Sequence, residues 1–338
     1  MAGSLVASGA SFSAGLRSEA LNSYRRQYDA RQEFVGKILK EVPSDKRIEK
    51  YFFWNSAPHA VRLPRGEAYR HKAFGGIQFS VENFEFGRAI DWRRIDREDD
   101  LTSSLVERAR DLGDSIGLLN ERIAFQIITA GSDNDLLASI PNAPDGRAIY
   151  HANDVASGNR FGVSGGNMEG DGSTTAGAAG GTATSAAITT DYYDVRSRFT
   201  RMQDTEGQPL FNPSVTDGEA LVIYPAAKIQ AFQEAFIRER VVEGSSTPTN
   251  VVQEAGLAPT LWTTQRLTGN DWFVFLTGSE HRSLGVQNRE GIRTVTATWE
   301  NSDLSRETGQ ESIRFECRRG FFVFVPYTTC QVNNAPGT

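Results

Sequence analysis

Four histidines, two cysteines and one serine motif are the residues here with the reactivity for covalent or metal chemistry. Their spacing decides whether they act together. His59, His71, His151 and His281 stand far apart. None lies at the i,i+3 or i,i+4 spacing that puts two ligands on one helix face, and none neighbours a cysteine. They read as structural histidines. Cys317 and Cys330 form no CxxC pair, which suits buried thiols and excludes a disulfide framework. Gly162-Val163-Ser164-Gly165-Gly166 matches GxSxG by letter. A nucleophile elbow needs a buried strand before the serine and a helix after it. Asn159-Arg160-Phe161 precedes and a glycine-rich coil follows, so a serine hydrolase using Ser164 stands only as the alternative of another class. Asp133 and Asp135 lack the rest of a calcium loop, and the acidic run Asp96–Asp100 reads as a helix start. Neither a Walker GxxxxGK[ST] segment nor a GxGxxG after a strand occurs. Tyr24-Arg25-Arg26 sets cations beside an aromatic ring, a pairing suited to a nucleic-acid contact, a solvated helix face or a subunit contact. The sequence therefore predicts no catalytic residue, no cofactor and no metal.

Composition narrows the classes further. Over 338 residues, 39% are apolar and 23% charged, which supports a packed core. A net charge of −6 argues against a protein that coats DNA mainly by charge. No apolar run approaches the roughly 20 residues of a membrane span, so no membrane partner is expected. Met1–Val6 has no positive start or long apolar core, so no secretory signal is expected, and two cysteines fit a reducing compartment. Only six of the 36 basic residues are lysines. That bias fits either a GC-rich genome or arginine's enrichment in protein interfaces.

The elements are legible in outline. Residues 1–15 are small and polar and read as a flexible arm. The stripe Leu21, Tyr24, Tyr28, Val35, Ile38, Val42 predicts an amphipathic helix stopped by Pro43. Residues 1–55 carry nine Lys/Arg against six Asp/Glu, so a mildly basic arm precedes an acidic body. Tyr51-Phe52-Phe53-Trp54 is an aromatic anchor. Residues 57–90 read as a long hairpin or extended loop, alternating through Phe79, Val81, Phe84 and Phe86, with no neighbouring element to cover its apolar face. The spacing from Leu101 to Ala130 predicts one helix over 98–131, a rod of roughly 45 Å. Gly113 and Gly117 inside it permit close packing or a slight bend. Its apolar stripe is expected on the sheet of the last strands, and its opposite face, with Glu107, Arg110, Asp114 and Glu121, toward solvent or a neighbouring subunit. Residues 156–190 are low-complexity and glycine-rich, and read as a surface loop. Helices through 192–202 and 229–237 flank a buried strand at 221–224. Strands follow at 272–276, 292–299 and 313–317, with a turn at Arg318-Arg319-Gly320 before a last strand at 321–325. The class is α+β.

The order of arm, projecting hairpin, long helix, mixed body and terminal strands resembles the bacteriophage major capsid proteins of the Hong Kong 97-type fold. The nearer resemblance is to the major head subunits of Mu-like phages. It is carried by Tyr51–Trp54, by Phe84-Glu85-Phe86-Gly87-Arg88-Ala89-Ile90-Asp91, and by the acidic lead Asp96–Asp100. Ile149–Asp154, Val286–Glu290 and Cys317–Phe322 continue it, over roughly residues 45–330. The resemblance implies an N-terminal arm (1–56), an E-loop hairpin (57–90) and a P-domain (91–150) with a long spine helix. An A-domain (151–285) holding the glycine-rich run and closing P-domain strands (286–338) complete it. It implies pentamers and hexamers in an icosahedral shell around double-stranded DNA, bound without sequence specificity. A separate scaffolding protein, a portal and cement or decoration proteins would be partners. The location would be the virion, assembled in the host cytoplasm. A cargo nanocompartment shell of the same fold is the alternative. The implied subunit-interface candidates are Arg65, Tyr69, Lys72, Phe74, Ile77, Phe79, Phe84 and Phe86 in the loop, Glu107, Arg110 and Asp114 on the helix, and Tyr24, Arg25 and Arg26 in the arm.

Overall fold

A computed structural model describes residues 9–54, 76–98, 104–131, 136–151, 153–154, 158–163, 166–169, 184–204, 207–210, 219–238, 252, 255–267, 269–278, 282–299 and 301–332. Two sheets and their helices form the body. The first sheet has four strands in the order β1 (Leu39–Pro43), β11 (Leu284–Ala297), β12 (Gln310–Val323) and β4 (Phe84–Arg93). The second has five, in the order β7 (Met168–Glu169), β13 (Thr329–Val332), β10 (Trp272–Leu276), β8 (Ala220–Pro225) and β9 (Thr260–Thr264). Strands β8 and β10 are buried on both faces, as their unbroken apolar runs require.

The first sheet turns Phe86, Trp92, Ile313, Phe315, Cys317, Phe321 and Val323 toward a helical layer. That layer contains α1 (Gly9–Ile38), α3 (Ser104–Gly117) and α4 (Leu119–Ile128). The second sheet is covered on one side by the α4 core and on the other by α5 (Ser185–Arg201) and α6 (Ile229–Phe236).

Several expectations are corrected. The arm is helical from Gly9, with Leu16 and Ala20 buried against α3. That helix ends at Ile38, because Leu39–Pro43 pair in parallel with Leu284–Asn288. The helix expected as one over 98–131 is interrupted at Leu118. A short α2 (Arg94–Glu98) is followed by α3 and α4, which are separated at Leu118, whose φ/ψ of −87°/0° ends the regular spiral. Residues 99–103 lie outside the described residues. One stripe describes α3 but not α4, which is buried nearly all round, Asn120, Glu121 and Gln126 included. Gly113 and Gly117 face α1. A Cβ at Gly113 would collide with the Ala20 carbonyl oxygen, and one at Gly117 would lie 2.8 Å from Gln27 Cβ, so glycine sets the close approach of the two helices.

Arg318-Arg319-Gly320 is no turn; β12 runs straight through it. Arg318 lies opposite both Glu290 and Glu85 in the sheet, Arg319 is buried on Asn120, and Gly320 leaves room for Gln287 and the Glu82 carbonyl. Parts of the glycine-rich run are also core. Asn167 is fully buried, donating to the carbonyls of Ile149 and Pro326 at 2.7 and 3.0 Å, and Ile188, in the first turn of α5, is buried in the core beneath the second sheet.

Candidate assembly surface

The projecting hairpin pairs β2 (Ile48–Trp54) with β3 (Gly76–Glu82), in antiparallel register from Ile48↔Glu82 to Trp54↔Gly76. It therefore starts earlier than the expected 57–90, and its predicted second half, 84–90, belongs to β4 of the main sheet. Its base is bolted to the body. Tyr51 stacks on Phe79 and Phe322 at 5.7 and 5.0 Å and donates to Gln287 Oε1 at 3.1 Å, while Gln287 Nε2 donates to the Val81 carbonyl at 3.1 Å. Burial raises the Tyr51 phenol above its ordinary range. Residues directly opposite share a face. Val81, Tyr51 and Phe79 make the inner face. Farther out on that face Ile77 is 38% exposed, and on the other face Ile48 and Phe52 are 47% and 51% exposed. Among the described residues, the hairpin thus carries exposed apolar side chains on both faces.

Beside its base, the outer face of the main sheet is a ladder of arginines and glutamates. Arg293 pairs with Glu316 and Glu290, Arg314 with Glu316, and Arg318 with Glu85 and Glu290. Hydrogen bonds from the Arg293 guanidinium hold the Glu316 carboxyl below the usual range.

The interface candidates separate accordingly. Ile77 and Phe79 lie in the hairpin, Ile77 exposed and Phe79 in its aromatic base. Phe84 is 50% exposed at the start of β4, whereas Phe86 is buried against Phe321 in the chain's own core. Arg65, Tyr69, Lys72 and Phe74 lie outside the described residues. On α3, Glu107 is exposed. Arg110 and Asp114, expected to face solvent or a neighbour, reach α1 of the same chain, Arg110 while remaining half exposed and Asp114 partly buried. Arg110 bonds Glu19 at 3.0 Å, and Asp114 accepts from Ser23 and pairs with Arg26 at 3.6 Å. Glu121 is wholly internal, between Arg31 at 3.3 Å and Arg266 at 2.8 Å. The reason is the 30-residue α1, which lies along the polar flank of α3. Tyr24 is half-buried and Arg25 is exposed. Ile48 and Phe52 were missed as exposed contacts, although their alternation with Lys50 in a strand signals an outward apolar face.

Among the described residues, His151, Cys317 and Cys330 are not gathered into one site. The strand before the motif, Gly158–Asn159, is only two residues long, and a 3-10 turn, Arg160–Gly162, with Phe161 and Gly162 at φ 58° and 70°, separates it from Ser164. Ser164 itself, His59, His71 and His281 lie outside the described residues. The adjacent cleft is lined by Gly162, Val163, Thr200, Arg201, Gln203 and Pro209, none of which carries a carboxylate, imidazole or thiol. Cys317 and Cys330 are free and buried in separate cores, and burial raises the Cys317 thiol. Among the described residues no cluster of potential metal ligands occurs, and no helix is long and apolar enough to cross a membrane.

No family model matches the sequence, and no curated protein matches it. Solved structures do match over nearly the whole chain. The capsid of cyanophage P-SCSP1u aligns with a TM-score of 0.56 at 10% identity, over 89% of this chain and 86% of that one. The capsid of an empty GTA particle gives 0.55 at 11% identity, over 88% of each chain. The mature capsid of bacteriophage PhiM1 gives 0.53 at 11% identity, over 89% and 86%. At such identities the likeness is one of fold, and the fold of this chain is that of phage capsid subunits.

Proposed function

We propose that this chain is a capsid shell subunit: copies assemble, as pentamers and hexamers, into an icosahedral head that encloses double-stranded DNA. One observation carries the reading. On a capsid-subunit fold, the β2–β3 hairpin leaves the body with Ile48, Phe52 and Ile77 uncovered, and a neighbouring copy supplies the missing cover. The hairpin acts as the E-loop, α3 and α4 as the spine of the P-domain, and the five-stranded sheet with α5 and α6 as the A-domain around each capsomer centre. Many modest contacts of this kind sum to a stable shell. The net charge of −6 keeps the wall from gripping packaged DNA. The role is structural, without catalytic residues. Scaffolding, portal and cement proteins would be separate chains, the product a virion built in the host cytoplasm. Kinship with Mu-like head subunits rests on the sequence segments named above.

The test replaces Phe52 and Ile77 by serine together. Both are exposed, so the subunit stays soluble with an unchanged circular-dichroism spectrum. Sedimentation should show loss of particles. Particles in wild-type yield from this variant would remove the hairpin from the assembly mechanism.

A further inference from the structure

On the face of β12 that meets the helices, every second residue from Ile313 to Val323 is buried, and all but one are apolar. Ile313, Phe315 and Cys317 precede the exception and Phe321 and Val323 follow it. Between them stands Arg319, 4% exposed. Its Nη1 donates to Asn120 Oδ1 of α4 at 2.6 Å, and Asn120 is itself buried. The Tyr24 hydroxyl of α1 lies beside the same guanidinium: burial raises the phenol above its ordinary range, and the Arg319 charge opposes that rise. One side chain of the sheet therefore meets both α1 and α4.

The link is poorly made for stability. A guanidinium stays charged at any working pH, and among the described residues no carboxylate pairs with Arg319. Glu41, on the neighbouring strand β1, is exposed and accepts from the Tyr28 hydroxyl at 2.5 Å instead. Arg319 Nε and Asn120 Nδ2 are buried without a hydrogen-bond partner. A buried charge left in this condition stabilises a fold less than apolar side chains of similar volume would. What it adds is direction. Apolar burial is non-directional, the strand repeats its inner face every two residues and a helix repeats its own every turn. Apolar contact alone would thus let the helices seat one step along the sheet. In a displaced seating the guanidinium loses Asn120 and Tyr24 and faces apolar side chains, which is heavily unfavourable.

We propose that Arg319, through Asn120 and Tyr24, locks the register in which the α1, α3 and α4 layer seats on the main sheet, and that it does so at the expense of stability. The inference stands apart from the shell reading, and its test reads single subunits. Cys317 and Cys330 are buried, so nitroxide labels attach at Arg25→Cys on α1 and Arg314→Cys on the outer face of β12, both exposed positions. The labelled chain is diluted into unlabelled chain, so that pulsed electron paramagnetic resonance reads distances within one subunit. The labelled parent should give one narrow distance. Adding Arg319→Met with Asn120→Leu should raise the melting temperature by a few degrees. It should also bring in a second distance, displaced by about 5–7 Å, one helical turn or one side-chain repeat of the strand. Arg319→Met alone, which enlarges nothing, should bring in the second distance as well. A double variant that melts below its parent would mean that the link is held for stability. A single distance as narrow as the parent's in Arg319→Met would mean that apolar packing sets the register unaided. Either result overturns the proposal.

Discussion

Gly113 and Gly15 are both glycines in helices, and they should respond to alanine in opposite directions. Glycine costs a helix interior about 1 kcal/mol relative to alanine. At Gly15 in α1 nothing lies within 4 Å of an added Cβ, so Gly15→Ala should raise stability by up to that amount. At Gly113 the added carbon collides with the backbone oxygen of Ala20, which no rotamer change relieves. Overpacking of this kind costs about 1–3 kcal/mol, enough to cancel or exceed the propensity gain. Urea unfolding of the two variants should therefore move the midpoint up for Gly15→Ala and down for Gly113→Ala. A stabilised Gly113→Ala would mean that α1 and α3 do not cross where described. The sequence marked Gly113 as a position for close packing or a bend. What it left open was the partner, since α1 reads as an arm leading away from the body until its buried Leu16 and Ala20 are seen against α3.

At the scale of elements, Glu121 shows how the helices are fastened. It is 4% exposed on α4, accepts a hydrogen bond from Arg266 beyond β9 and lies 3.3 Å from the Arg31 guanidinium of α1. Replacing the buried carboxylate by an amide loses a charge-assisted hydrogen bond and an ion pair, and because Arg31 and Arg266 keep access to water the cost is about 1.5–3 kcal/mol. Glu121→Gln should accordingly destabilise the subunit by that order. Glu107→Ala, on the exposed face of α3, should leave the melting temperature within a degree or so of wild type, by the usual near-neutrality of surface changes. Equal melting of the two variants would contradict the burial of Glu121. Sequence periodicity placed Glu121 on a wet face because it follows one helix's own stripe. It contains no term for a second helix or a second sheet packed on the other side. The same limit explains Arg318-Arg319-Gly320. Two charges and a glycine are turn chemistry in isolation, but in the sheet each meets a partner across the strands. Strands β8 and β10 and helices α5 and α6 were legible because their own patterns, unbroken apolar runs and single faces, suffice to specify them.

For the molecule as a whole, order was more legible than boundary. Arm, hairpin, helix and terminal strands occur in the sequence as in the fold, while the hairpin's arms, the helix break at Leu118 and the helical start of the arm were set by long-range pairing. The exposed apolar positions were half legible. Ile77 lies exposed in the hairpin and Phe86 went to the core, whereas Ile95 and Leu304 gave no signal because single exposed apolar residues are ordinary in any sequence. The account's central claim is that this chain, with apolar side chains uncovered on its hairpin, is built to be covered by copies of itself. Negative-stain electron microscopy of the purified chain across a range of concentrations tests this directly. The account predicts closed, roughly isometric shells of uniform diameter. Monodisperse monomers at all concentrations would contradict it.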